Sequence, residues 1–103
     1  MIRVVYRWKV APDRQDAFAT AWRQATRAIH AETPGALGSF CLQSIDAPDE
    51  MLTIALWRTE QDWRDFIGAA RQGPMGAIHK LGELISTTPY RQLGDETVTA
   101  DPA

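Results

Sequence analysis

The sequence lacks features that would place the protein in several broad classes. It contains a single cysteine, Cys41, so no disulfide can form within the chain. No apolar run reaches the roughly 18–20 residues of a membrane span, and no signal peptide precedes the first apparent strand. With 11 basic and 13 acidic residues interspersed and a net charge of −2, there is no basic patch of the kind that phosphate backbones attract. These absences predict a cytoplasmic protein that binds neither nucleic acid nor a membrane.

The sequence motifs of several enzyme classes are also missing. We find no glycine-rich phosphate loop, no serine nucleophile elbow, no Cys/His cluster with metal spacing and no paired carboxylates on a plausible pocket face. The sequence therefore predicts no metal site. If the protein is an enzyme, its chemistry must come from a few polar groups in an apolar cavity. That favours oxygen chemistry on an electron-rich aromatic compound, which can itself reduce dioxygen once it is deprotonated.

Aromatic residues are abundant for a chain of this size. Its 103 residues include four Trp, three Phe and two Tyr. A single domain of this length buries only roughly 60–65% of its unfolded surface, so some of these rings must line a pocket or an interface. We place the domain at residues 1–96 and a C-terminal tail at residues 97–103.

Hydrophobic periodicity predicts seven elements in the order β-α-β-β-α-α-β. The strands cover residues 2–10, 38–45, 51–57 and, weakly and at an edge, 89–93. A helix over residues 14–31 follows an N-cap at Asp13, and a second helix follows a cap at Thr59. A third begins at residues 73 and 74 and carries an apolar face made of Met75, Ile78, Leu81 and Ile85. This order predicts an α+β fold, a ferredoxin-like split βαβ unit with an antiparallel sheet.

The two faces of this sheet are expected to have different partners. Helices cover the face that carries Tyr6 and the other apolar residues of the first strand. By parity, the opposite face carries Val5, Cys41, Thr53, Ala55 and Trp57. Because that face is too apolar for water in places, a second copy of the chain is expected to pack on it.

Three segments of the chain are similar to a known family: residues 34–38 (PGALG), 56–61 (LWRTEQ) and 73–79 (GPMGAIH). With these segments, the layout over residues 2–93 resembles the antibiotic biosynthesis monooxygenase (ABM) superfamily. The resemblance implies a homodimeric α/β barrel whose subunits each hold a pocket between sheet and helices. Some members oxidise polycyclic aromatic substrates with dioxygen and without metal or flavin, others degrade heme, and many have no known activity.

The resemblance also allows a comparison with the heme-degrading members. These use an Asn on the first strand, a Trp on the helix after the third strand and a His on the last helix as the iron ligand. His79 falls at the His position, whereas Phe66 stands in place of the Trp and Tyr6 in place of the Asn. The resemblance therefore implies weak or no heme degradation, with heme binding through His79 as an alternative.

Three functions remain open at this stage. The first is a cofactor-independent monooxygenase acting on a small aromatic or quinol-type compound. The second is a heme-binding or heme-degrading protein that uses His79, and the third is a non-catalytic dimeric module that binds a small ligand. Hemin titration separates the second from the others, and oxygen uptake separates the first from the third.

The candidate site is an apolar cavity between the helices and the sheet. We assign catalytic roles to His79 and Tyr6, for which purely structural roles are the alternative. We interpret His30, near the end of the first helix, as a surface residue that compensates the helix dipole. The substrate is expected to contact four residues: Phe40, Trp63, Phe66 and Met75.

Overall fold

The computed structural model describes residues 1–69 and 75–99. Its strands are β1 (Ile2–Lys9), β2 (Ala36–Gln43), β3 (Glu50–Trp57) and β4 (Glu83–Arg91). They form one antiparallel sheet in the order β2-β3-β1-β4. Its helices are α1 (Gln15–Glu32), α2 (Glu60–Ala69) and α3 (Gly76–Leu81). The predicted α+β, ferredoxin-like arrangement is confirmed.

One face of the sheet packs against the helices and carries the aromatic residues of β1. Tyr6 lies directly opposite Thr53 of β3, and Thr53 lies opposite Cys41 of β2. Directly opposed residues of antiparallel strands share a face. The prediction that this part of β2 and β3 faces away from the helices is therefore wrong for Cys41, Thr53, Ala55 and Trp57.

The other face of the sheet, which we call the open face, has no helix on it among the described residues. Phe40 and Leu42 are 57% and 47% exposed there, and Phe40 lies opposite Ile54 of β3. The guanidinium of Arg3 lies 5.8 Å from the centroid of the Phe40 ring. The open face is thus largely apolar, with its positive charge on β1.

The two predicted helix starts have different outcomes. The amide of Asp62 donates to Thr59 Oγ1 at 3.1 Å, which confirms the cap of α2. Asp13 instead lies in a 3₁₀ turn, Pro12–Arg14, and α1 begins without a side-chain cap. The Arg14 amide donates to the Ala11 carbonyl at 2.8 Å within that turn, so a backbone bond replaces the expected cap.

The last helix is shorter than predicted, and the last strand is longer. α3 ends at Leu81, and Ile85 belongs to β4. Gly82 ends the helix in an extended conformation, where an added Cβ would lie 3.0–3.2 Å from side-chain atoms of Val10 and Phe18. The chain therefore leaves the helix where only glycine fits comfortably. The predicted helix start at residues 73 and 74 lies outside the described residues.

β4 contains Pro89, which lies opposite Val4. Since β4 is at the end of the sheet, the missing N–H of proline is tolerated there, and the predicted edge position is confirmed. Beyond β4 the chain has no regular structure as far as residue 99. The boundary between a domain over residues 1–96 and a tail over 97–103 stays a prediction.

The core consists of two hydrophobic clusters that share Tyr6. One surrounds Trp8 and Phe18 beneath α1 and α3, and the other surrounds Val4, Trp57 and Trp63 beneath α2. Tyr6 packs against both of them. Within the described residues, no helix is long and apolar enough to cross a bilayer.

Candidate active site

A cavity of about 60 Å³ lies between the helices and the face of the sheet that packs against them. This is less than the roughly 150 Å³ of an apolar cavity that holds benzene. It admits water or a very small ligand, so an aromatic substrate requires the lining side chains to move apart. The described residues that line it are Tyr6, Trp22, Thr26, Ile29, His30, Ala36, Gly38, Ser39, Thr53, Ala55, Leu56, Trp57, Phe66, Met75 and Ile78.

Tyr6 places a phenol group on the cavity wall where the two core clusters meet. The indole Nε1–H of Trp63, a residue only 4% exposed, donates to the Tyr6 hydroxyl at 3.2 Å. Burial raises the pKa of Tyr6, and the hydrogen bond from Trp63 offsets part of that increase. The hydroxyl therefore stays protonated at neutral pH. Its hydrogen has no acceptor among the described residues, so Tyr6 can donate a hydrogen bond to a ligand oxygen.

Two other indole N–H groups beside the cavity are already bonded within the protein. Trp8 Nε1–H donates to Thr53 Oγ1 at 3.0 Å, and Trp22 Nε1–H donates to Ser39 Oγ at 3.2 Å. Both bonds join residues that lie on separate elements. They hold the wall in position and leave neither indole N–H free to bind a ligand.

His30 is exposed, as the sequence predicted, and it also lines the rim of the cavity, which the sequence did not predict. Trp22, Thr26 and Ile29 line the same cavity, and the spacing i, i+4, i+7, i+8 places His30 beside them on α1. His30 Nδ1 lies 2.7 Å from the carbonyl oxygen of Ala36. Extending the apolar stripe of the first helix by one residue beyond Ile29 would have predicted this position.

Of the six predicted site residues, Tyr6, Phe66 and Met75 line the cavity. The Phe66 ring lies 5.1 Å from Trp57, centroid to centroid, at a tilt of 38°. Trp63 is absent from the lining, so its predicted place there is wrong; it instead supports Tyr6 through the hydrogen bond described above. The structure thus brings four predicted site residues together at or next to this cavity: Tyr6, Trp63, Phe66 and Met75.

The other two predicted residues lie elsewhere, and the prediction that they line this cavity is wrong. Phe40 is on the open face, because β2 turns Cys41 rather than Phe40 towards Thr53. His79 is exposed, with its ring 5.2 Å from Trp8. α3 points the preceding residue, Ile78, into the core, and one helical step turns His79 away from the cavity. A chemical role for His79 stays a prediction.

The described residues do not fit a metal ion or heme in this cavity. Between residues 1 and 69 and between 75 and 99, no three His, Cys, Asp or Glu side chains are grouped so that they could hold a metal. His79, the predicted iron ligand, does not face the cavity, and the 60 Å³ space is far smaller than a porphyrin. We therefore derive no chemical step through either group.

Comparison with known proteins gives consistent results for family and fold. The profile of a family described as "Antibiotic biosynthesis monooxygenase" matches residues 1–71. No curated protein sequence matches the chain.

Several solved structures have the same fold. A proposed antibiotic biosynthesis monooxygenase from Bordetella bronchiseptica superposes with a TM-score of 0.77 at 22% identity, covering 89% of this chain and 96% of its own. SnoaB, a cofactor-independent oxygenase from Streptomyces nogalater, superposes with a TM-score of 0.70 at 20% identity, covering 92% and 95%. At these identities the likeness shows the fold alone.

Proposed function

The chain belongs to the antibiotic biosynthesis monooxygenase family, and we propose that it is a cofactor-independent monooxygenase acting on a small phenol or quinol-type compound. The observation that carries this proposal is the apolar cavity into which a neutral Tyr6 hydroxyl can donate. The similarity in fold to SnoaB, a cofactor-independent oxygenase, supports the absence of a cofactor from the proposed reaction.

The proposed reaction uses the substrate as the source of electrons. A phenol with a free para position reacts with dioxygen to give a para-quinone and water, so that one oxygen atom enters the product and the other leaves in water. The protein then has three tasks: to bind the ring against apolar and aromatic side chains, to exclude bulk water, and to accept the hydroxyl proton of the substrate and return it later in the reaction. Trp57 and Phe66 provide the aromatic wall, and Tyr6 provides a hydrogen bond to an oxygen of the substrate.

Oxygen uptake with a panel of phenols and hydroxynaphthalenes that have a free para position tests this function. We expect consumption of one dioxygen per quinone formed, with ¹⁸O from labelled dioxygen in the product and no requirement for added metal, flavin or reductant. Ligand binding without any oxygen uptake would instead favour the non-catalytic module. A Soret shift on adding hemin that disappears in His79→Ala would favour the heme-binding alternative, and a ring-opened product from hemin and a reductant would favour heme degradation.

We also propose that the protein is a homodimer joined through the open face of the sheet. This surface carries apolar side chains on neighbouring strands, including Phe40, Leu42, Leu52, Ile54 and Leu56. A single copy leaves Phe40 and Leu42 about half exposed, and contiguous exposed apolar surface of this kind is typical of association sites.

A charge placed on the open face is expected to separate the copies. Sedimentation equilibrium at micromolar concentration should give twice the chain mass of 11.5 kDa for the wild type. Phe40→Lys should shift the population to the monomer, because an ammonium group cannot be buried there without a partner and the nearby Arg3 guanidinium carries the same charge. Ile45→Lys is the matched control, since Ile45 is 94% exposed beyond the end of β2. A monomeric wild type, or a Phe40→Lys variant that stays dimeric, would contradict this interface.

A further inference from the structure

We propose that His30 is the general base of this reaction: its Nε2 accepts the hydroxyl proton of a phenol or quinol held in the cavity. The inference rests on the proposed function for the kind of substrate. The proton transfer itself rests on the position and hydrogen bonding of His30.

The composition of the cavity wall leaves no other described residue for this task. The lining contains no Asp, Glu, Lys or Cys among the residues described. Its remaining polar side chains are the hydroxyls of Tyr6, Thr26, Ser39 and Thr53 and the indoles of two Trp residues, none of which accepts a proton at neutral pH. Burial raises the pKa of Tyr6, so that residue acts as a hydrogen-bond donor. Imidazole is the side chain suited to proton transfer near neutrality.

The hydrogen bond to Ala36 determines which nitrogen of His30 can act. A carbonyl oxygen can only accept, so at 2.7 Å it is Nδ1 that carries the hydrogen. In the neutral ring the lone pair then lies on Nε2. The same bond links the end of α1 to the start of β2 and thereby orients the ring. This is how a general base is commonly prepared: one nitrogen is anchored by a backbone carbonyl and the other is left to react.

His30 lies near the end of α1, where its ring is accessible to water. His30 lies in the last turn of this 18-residue helix, where the free carbonyl groups carry partial negative charge. His30 is exposed at the cavity rim, so water can also reach the ring and exchange its proton between turnovers.

The proton released by the substrate is used again later in the reaction. The substrate O–H bond breaks, an N–H bond forms at Nε2, and the phenolate gives one electron to dioxygen. The phenoxyl radical and superoxide then combine at the para carbon to form a peroxide anion, which takes the proton back from the imidazolium. The hydroperoxide loses water, made from its OH group and the para hydrogen, and leaves the quinone. Dioxygen is the oxidant, and His30 ends neutral.

The first test compares turnover in two single variants. His30→Asn keeps an N–H group able to donate to the Ala36 carbonyl but removes Nε2. We expect kcat for a weakly acidic phenol to fall by about 10²–10⁴-fold, the usual contribution of general base catalysis. For an acidic phenol that is already ionised in the buffer, the loss should be less than about tenfold. An equal loss for both phenols, or full activity in His30→Asn beside an inactive His79→Asn, would overturn the proposal.

The second test needs no turnover and so separates this proposal from the proposed function. 4-Nitrophenol is titrated with protein under anaerobic conditions in a buffer that keeps it mostly neutral. Wild type should increase the visible absorbance of the nitrophenolate, whereas His30→Asn should bind without that increase. The proposal for His30 stands if this difference is seen even when no oxygen uptake occurs. Identical spectra for the two proteins, or no binding by either, would overturn it.

Discussion

Phe18→Ala is expected to lower the free energy of unfolding by about 3–5 kcal/mol, the usual cost of emptying a well-packed aromatic site. Phe18 is fully buried, and its ring meets that of Trp8 edge to face, 5.3 Å between centroids. It also lies next to Gly82, so the chain is tightly packed on both sides of the ring. Denaturant unfolding followed by circular dichroism measures the loss.

Phe66→Ala is the matched comparison, since it removes the same ring from the cavity wall. Phe66 is only half-buried and already borders empty space, so less contact is lost on truncation. We expect a loss below about 3 kcal/mol, under the range for fully packed Phe sites, together with tighter binding of small aromatic ligands. Equal losses for the two variants would mean that the cavity is filled in solution.

The faces of the strands show how far the sequence could predict this fold. β1 has Arg3, Arg7 and Lys9 on one side and apolar residues on the other, so its orientation could be predicted from alternation. In β3 both sets of alternate residues are mainly apolar, because one packs on helices and the other forms the open face. Hydrophobicity alone could not choose between the two sets, and the placement of Thr53, Ala55 and Trp57 failed for that reason.

The two histidines show how far the sequence could predict which residues line the candidate site. The predicted apolar face of the last helix correctly included Ile78, which is buried. Helical spacing and the family resemblance together placed His79 at the cavity, but α3 has only six residues and His79 is exposed on it. α1 has 18 residues and a clear stripe, on which His30 continues the spacing of Trp22 and Thr26. Its position could have been predicted from periodicity, but its bond to Ala36 depends on the turn between α1 and β2 and could not.

Tyr6→Phe is expected to reduce kcat for phenol oxidation by about 10²–10³-fold, the size of effect seen when one donor to a developing oxyanion is removed. Under the proposed function, the Tyr6 hydroxyl donates to the substrate oxygen as negative charge forms on it. The aromatic ring remains, so the KM should change little. Steady-state oxygen uptake, corrected for the folded fraction, measures both constants.

Stability at alkaline pH gives a separate check on the environment of Tyr6. An unfolded tyrosine ionises near pH 10, whereas burial raises the pKa of Tyr6 in the folded protein. Above pH 10 the unfolded state therefore loses this proton first, and the wild type loses stability until the pH passes the higher, folded pKa. Tyr6→Phe should lack that part of the decline in a pH series of denaturant unfolding. The exposed Tyr90 is present in both proteins and serves as the internal reference.

Trp63→Phe distinguishes the chemical role of the Tyr6 hydroxyl from its structural one. In Tyr6→Phe the buried Trp63 Nε1–H loses its acceptor, which costs about 1–3 kcal/mol of stability. Trp63→Phe removes the same hydrogen bond but keeps the hydroxyl, so it should retain most of the turnover. The double variant should be as inactive as Tyr6→Phe. Because it has no indole N–H at position 63, it should not lose the stability that an unsatisfied N–H costs. If Trp63→Phe were as inactive as Tyr6→Phe, the hydroxyl would matter only through this hydrogen bond, and its assignment as a donor to the substrate would be wrong.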